Sequence, residues 1–186
     1  MLLSQSFFVL CSLFLGALAA APPPTLYRGD SRSPADIKKI GGFHTYAATN
    51  GVEPREDLIL HCQGGHDDND AFISTSKSNE VASKFGKKKS GWVYTIDSSK
   101  NPSQYIDVAA WCKEHQEKNP HPKEQEFASK GAIPWSNIIS WEKVEKGSKV
   151  AGSSETRAEF DAGKTSSRPS SSHSSKGGKS HKRFAA

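Results

Sequence analysis

The stretch LYRGDSRSPADIKKIGG, at positions 26–42, is where the chain first declares regular structure. Ser33 is an N-capping residue type, Pro34 follows where a helix tolerates a missing N–H, Ile37 and Ile40 fall on one side, and Gly41 ends the pattern. A short helix is therefore expected here, after a charged run carrying Arg28, Asp30 and Arg32. Further along, Leu58-Ile59-Leu60 and Ala71-Phe72-Ile73 are β-like runs, and GWVYTI at 91–96 reads as a buried strand. Residues 78–85 suggest a helix between them. Glu126-Phe127-Ala128 and IISWEKV at 138–144 supply two more strands, separated by the turn Gly131-Ala132-Ile133-Pro134. Short strands interleaved with short helices, without an internal repeat, predict an α+β domain over residues 22–146.

Both ends differ from this middle. Phe7, Phe8, Val9, Leu10, Leu13, Phe14 and Leu15 form an apolar run that passes into Gly16-Ala17-Leu18-Ala19-Ala20. About ten apolar residues fall short of the roughly 20 that span a bilayer, and the Ala17, Ala19 pattern suits a signal peptidase. Residues 1–20 are therefore expected to be a secretory signal peptide, no later segment to cross a membrane, and the mature protein to be secreted and extracellular. Cys11 leaves with the signal. Cys62 and Cys112 then remain in an oxidising compartment, where one disulfide is expected. Closing a loop of roughly 50 residues, such a bond contributes about 4 kcal/mol in the chain-entropy account. Residues 147–186 are rich in Ser, Lys and Gly and poor in large apolar side chains, so a disordered basic tail is expected.

The charge is uneven. Of 25 Lys and Arg, 8 lie at 147–186, leaving 17; of 20 Asp and Glu, 3 lie there, leaving 17. The net +5 thus belongs to the tail, and the folded part offers no electrostatic footprint for nucleic acid.

Three short stretches carry chemistry: YRGDSR at 27–32, FISTS at 72–76 and KEQEFA at 123–128. In this order they resemble the Arg, Ser-Thr-Ser and Glu-x-Glu signature of arginine-specific mono-ADP-ribosyltransferases, in particular the cholera toxin and heat-labile enterotoxin A-chain family. The flanks LYRGDSRSPADIKKIGG and HPKEQEFASKGAIPWSNIISWEKV resemble it too, over roughly residues 25–145, whereas 43–60 and 98–121 match poorly. The resemblance implies an ADP-ribosyltransferase-like fold, two small packed antiparallel-rich sheets around an NAD cleft with flanking short helices. It implies NAD as substrate, no metal, and a host protein bearing an acceptor arginine as partner.

The residue types suit that chemistry. The bond broken in NAD joins ribose to a cationic nicotinamide, so the leaving group departs neutral and positive charge develops on the sugar. A carboxylate beside the sugar stabilises that state more than the ground state, and by resemblance this is Glu126. The acceptor guanidinium arrives protonated, and a second carboxylate, Glu124, is expected to orient it and take its proton. On an extended segment the two glutamates would share a face about 6.6 Å apart. Ser74 is expected to hold Glu126, and Thr75 and Ser76 to be structural, Thr75 beside the dinucleotide. Arg28 is suited to the pyrophosphate through its planar fork of donors. Asp30 contacts the nucleotide or ties down Arg32, and His61 aligns with an active-site histidine of the enterotoxins.

His66-Asp67-Asp68-Asn69-Asp70 lacks the spacing of a calcium loop and reads as a solvated turn, and Gly86 to Gly91 as a charged connection. Nothing after Val144 resembles the linker that tethers a toxin A chain to its receptor-binding ring, so no B-subunit partner is evident. The competing readings are a catalytically silent NAD- or protein-binding module on the same fold, and a small secreted ribonuclease, which the neutral domain disfavours.

Overall fold

A computed structural model describes residues 21–65, 67–84 and 90–164. The expected signal peptide at 1–20, with Cys11, lies outside the described residues, as do 165–186 and most of the lysine-rich connection at 86–91.

The chain opens with strand β1 (Thr25–Asp30) and helix α1 (Pro34–Lys39). Ser33 and Asp36 form a reciprocal capping box, and the helix stops at Lys39. That early stop separates the two isoleucines expected on one side: Ile37 is fully buried and Ile40, past the last turn, is 44% exposed. Next come β2 (Gly42–Phe43), α2 (Tyr46–Asn50) and α3 (Leu58–Cys62). Gly42 pairs with Pro134 at φ 131°, and a Cβ there would lie 2.1 Å from the Ile133 carbonyl oxygen, so only glycine fits.

Leu58-Ile59-Leu60, expected as a strand, is helical instead. Asp57 caps the turn by accepting from the Leu60 N–H, and burial of Leu58, His61 and Cys62 follows the i, i+3, i+4 spacing of a helix face. Cap and burial together override the local β preference.

Then follow β3 (Phe72–Ser76), α4 (Asn79–Lys84), β4 (Ser90–Asp97), β5 (Tyr105–Asp107), α5 (Val108–Glu114), β6 (Glu126–Lys130), β7 (Ile133–Pro134) and β8 (Ile138–Glu145). The segment expected as a plain turn at 131–134 also forms β7, which pairs with β2.

The large antiparallel sheet runs β10-β8-β4-β1-β3-β6-β5, its first strand being β10 (Glu155–Thr156). It behaves as two panels. β1 pairs with β4 along its whole length, and β3 with β6 from Phe72 to Ser76, but β1 and β3 meet only at Tyr27 and Ser76. Past that pair the panels part and leave a cleft, the two-sheet arrangement expected from the resemblance. Leu26, Phe43, Tyr94, Ile96, Ile138 and Trp141 form the main core, and Leu58, Phe72, Val108 and Ala128 a second one behind β3 and β6.

The fold does not end at residue 146. β9 (Ser148–Lys149) pairs with the end of β8, β10 pairs with the same strand at Ser140 and Trp141, and α6 (Arg157–Asp161) follows, capped by Thr156 and Glu159. Phe160 stands edge-on to Trp141 at 5.2 Å, and Trp141 Nε1 donates to Glu155. The tail expected from 147 thus supplies a cover through residue 164: a single aromatic suffices because Trp135 and Trp141 offer it a surface. Residues 147–164 hold three basic and three acidic side chains, so the net +5 falls on 165–186. Among the described residues no helix is long and apolar enough to cross a membrane, and no group of three or more His, Cys, Asp or Glu could hold a metal.

Candidate active site

The cleft opens where β1 and β3 separate. Arg28, Gly29, Ser74, Ser76, Glu124 and Glu126 line it, with Tyr27 and Ala82 at its side.

Arg28 sits where backbone pairing stops, and its Nη1 donates to the Ser74 carbonyl oxygen at 2.8 Å, satisfying an acceptor that no strand reaches. Its Nη2 lies 3.3 Å from Asp30, and Nε is buried without a partner. Asp30 accepts from both Nε and Nη2 of Arg32, at 2.9 and 2.7 Å, and from its backbone N–H. Of the two expectations for Asp30, the structure shows the tie to Arg32. Phe43 lies beneath both guanidinium groups, at 5.2 and 5.7 Å. Burial lowers the Arg28 pKa against the opposing pull of Asp30, and the arginine pair keeps Asp30 below the usual carboxylate range despite its burial.

Register explains how β3 and β6 present their side chains. Ser76 pairs with Glu126 and Ser74 with Ala128, so Ser74, Ser76 and Glu126 share a face, with Ser74 diagonal to the carboxylate. Thr75 points to the other side, where its hydroxyl donates to the Phe127 carbonyl at 2.5 Å. Thr75 also borders the cleft, with its hydroxyl engaged by that carbonyl. Ser76 Oγ donates to the Glu124 carbonyl at 2.7 Å and so anchors the turn before β6.

That turn differs from expectation. Glu124 ends a 3₁₀ turn, Pro122–Glu124, and Gln125 is left-handed at φ 49°, so the Glu-x-Glu segment is not extended. The kink places both glutamates on the cleft where strand alternation was expected to do so.

His61, carried by α3, faces the same carboxylate from behind. Its Nε2 is 3.0 Å from Ser74 Oγ and 3.3 Å from Glu126 Oε1, and its Nδ1 is 2.6 Å from Asp70 Oδ2. Asp70 is 1% exposed and His61 3%, while Asp67 and Asp68 of the same loop are exposed. The reading as a solvated turn therefore fails for Asp70. Its place was legible only through parity: 70, 72, 74 and 76 alternate together, which puts an acid before the strand on the side of Ser74.

Burial opposes charge on His61, but hydrogen bonds to Asp70 and Glu126 outweigh it and raise its pKa to about 9. Burial would raise Glu126, yet His61, Ser74 and the Cys62 thiol bring it below the ordinary value. Glu124 moves the other way, raised by burial and by Glu126, with His121 opposing.

Cys62 and Cys112 are free, buried thiols, so the expected disulfide is not formed. Both sit in the apolar cluster of α3 and α5, and Cys62 interacts electrostatically with Glu126. Burial and that carboxylate push its pKa up.

Residues 3–170 match the family model described as heat-labile enterotoxin alpha chain. The chain is 31% identical over 153 residues to NAD(+)--arginine ADP-ribosyltransferase Chelt of Vibrio cholerae, covering 75% of this chain and 24% of that protein. It is 31% identical over 150 residues to the A-subunit of cholera enterotoxin of Vibrio cholerae, covering 73% and 55%. The chain thus spans about a quarter and about half the length of these relatives. A crystal structure of an Escherichia coli heat-labile enterotoxin mutant superposes with a TM-score of 0.56 at 26% identity, over 74% of this chain and 78% of that one.

Proposed function

The chain belongs to the heat-labile enterotoxin alpha-chain family, and from that premise we propose that it is a secreted mono-ADP-ribosyltransferase. It would transfer ADP-ribose from NAD to an arginine of a host protein, with NAD hydrolysis as a side reaction. The observation that carries this reading is the convergence of Arg28, Glu124 and Glu126 on one cleft, with Ser74 bridging the panels.

The donors present fit a dinucleotide. Arg28 has a buried Nε with no partner, beside a carboxylate-braced guanidinium able to take pyrophosphate oxygens. Asp30 and Arg32 keep Arg28 in place. Glu126, held ionised by its donors, stabilises positive charge on the ribose as the bond to nicotinamide breaks and its electron pair leaves with the neutral ring. Ser74 and His61 fix the carboxylate so that little reorganisation is needed. Glu124, whose raised pKa suits a base, takes the guanidinium proton as the new carbon–nitrogen bond forms.

The test is to incubate the full chain with labelled NAD and a small guanidine acceptor. Nicotinamide release with labelled acceptor is expected; intact NAD across pH and salt would overturn the reading.

A further inference from the structure

A carboxylate buried behind the cleft takes no part in the chemistry proposed above, yet it is the most enclosed acid among the described residues. Asp70 is 1% exposed, precedes β3, and does not line the cleft. Its two oxygens are used differently: Oδ1 accepts the Phe72 N–H at 3.0 Å, which locks the carboxylate to the strand that carries Ser74, and Oδ2 meets His61 Nδ1 at 2.6 Å. The loop that bears it is itself clamped by Arg55. The Arg55 N–H donates to the Asn69 carbonyl at 2.7 Å, its carbonyl accepts from Ala71 N–H at 3.2 Å, and its guanidinium holds Asp67 at 2.6 Å and the Gly65 carbonyl at 2.9 Å.

We infer that Asp70 is a positioning residue for Glu126, holding the His61 ring by Nδ1 so that the Nε2 proton is presented to Ser74 and Glu126. This inference rests on the reading of Glu126 as the ribose-facing carboxylate.

The hydrogen-bond directions follow from the donors. With Asp70 accepting at Nδ1, the Nε2–H of a charged imidazole points at Ser74 Oγ and Glu126 Oε1, and the Ser74 hydroxyl proton is not needed by His61. Titratable groups facing His61 include Asp70 from the loop before β3 and Glu126 from β6, with Cys62 of its own helix interacting with Glu126. An imidazolium placed between two buried carboxylates offsets part of their charge, which lets Glu126 stay ionised in a site that burial would otherwise neutralise. Glu126 alone is a weaker anchor, since its contact to the ring is 3.3 Å against 2.6 Å for Asp70. Without the Asp70 charge, the ring is free to lose its proton or turn its tautomer, and Glu126 loses a donor.

The test compares wild type with Asp70→Asn in the full chain. Nitrogen NMR of the His61 side chain in wild type should show both ring nitrogens protonated at pH 7, with titration near 9. In Asp70→Asn that titration should fall by at least about one pH unit. In parallel, kcat for NAD hydrolysis should drop on the order of 10²-fold, with KM changed less than about 3-fold, and the alkaline limb of the pH profile should move to lower pH. A neutral His61 at pH 7 in wild type overturns the inference even if Asp70→Asn does not fold. So does an unchanged His61 titration in a folded Asp70→Asn, or a loss confined to KM. The NMR readout requires no turnover: wild type that titrates as expected but leaves NAD intact overturns the proposed activity and not the arrangement of Asp70 and His61.

Discussion

Both panels of the sheet have apolar cores, but they differ in what they bury beside them. β3, β6 and the loop before them enclose Asp70, His61, Thr75, Ser76 and Ser129, with Glu126 at 8% side-chain exposure. β8, β4 and β1 enclose Leu26, Val93, Tyr94, Ile96, Trp141 and Val144, roofed by Trp135 and Phe160. Charges taken out of water cost several kcal/mol each before pairing repays part of it, while apolar burial stabilises by about 25 cal/mol per Å². The aromatic panel can therefore carry the stability that lets the other hold an ionised cluster ready beside a cleft. If so, substitutions in the two panels should separate activity from stability.

Glu126→Ala gives the largest expected separation. Nicotinamide release should fall by about 10³-fold or more, because the lost group acts on charge that develops only in the transition state. The thermal midpoint should stay within a few degrees of wild type, since His61 keeps Asp70 as a partner at 2.6 Å. Trp141→Ala should do the reverse. It removes a fully buried indole that touches Tyr94, Trp135 and Phe160, at an expected cost of 3–5 kcal/mol, roughly, in urea unfolding. The variant that remains folded should retain its kcat. A large loss of stability in Glu126→Ala, or of kcat in folded Trp141→Ala, would break the division between the panels.

What the sequence made legible follows the same division. Strands β3, β4, β6 and β8 and helix α1 were readable because caps, turns and apolar periodicity agree there. Arg28, Ser74, Glu124 and Glu126 were readable as motifs, and the structure gathers them at one cleft. Asp70 was hidden because a solvated and a buried aspartate look alike in DDND; only the strand that follows decides. The helix at Leu58–Cys62 was hidden because three apolar residues fit strand or helix, and Asp57 settles the matter through one hydrogen bond. The cover formed by 147–164 was hidden because average composition gives no weight to a lone Phe160.

The ionised cluster also predicts how stability depends on pH. His61 has a folded pKa of about 9, above its ordinary 6.5, so its contribution is complete below 6.5 and is lost as pH rises through 9. Glu126 is lowered from 4.5, so its contribution is present above 4.5 and is lost as pH falls through the lowered value. Stability from this cluster should thus be flat between 4.5 and 6.5 and decline on both sides. The alkaline decline should be on the order of 3 kcal/mol, measured by urea unfolding at a series of pH values. In His61→Asn that component should vanish; an identical alkaline slope in both proteins would mean that the polar panel carries no such linkage.

The smallest expected effect lies outside both panels, at the turn that carries Glu124. Its backbone is fixed by Ser76, and Gln125 holds a left-handed conformation, so the side chain can change without disturbing either sheet. Glu124→Gln keeps shape and hydrogen-bonding reach but cannot accept a proton. Transfer to a guanidine acceptor should fall about 10- to 100-fold, the range expected for losing a proton acceptor, whereas NAD hydrolysis, which needs no guanidinium activated, should change less than about 3-fold. Burial and Glu126 already raise the Glu124 pKa, so transfer in wild type should also fail at a higher pH on acidification than hydrolysis does. Equal losses in transfer and hydrolysis would place Glu124 with Glu126 in handling the ribose, and the two glutamates would no longer divide the reaction between them.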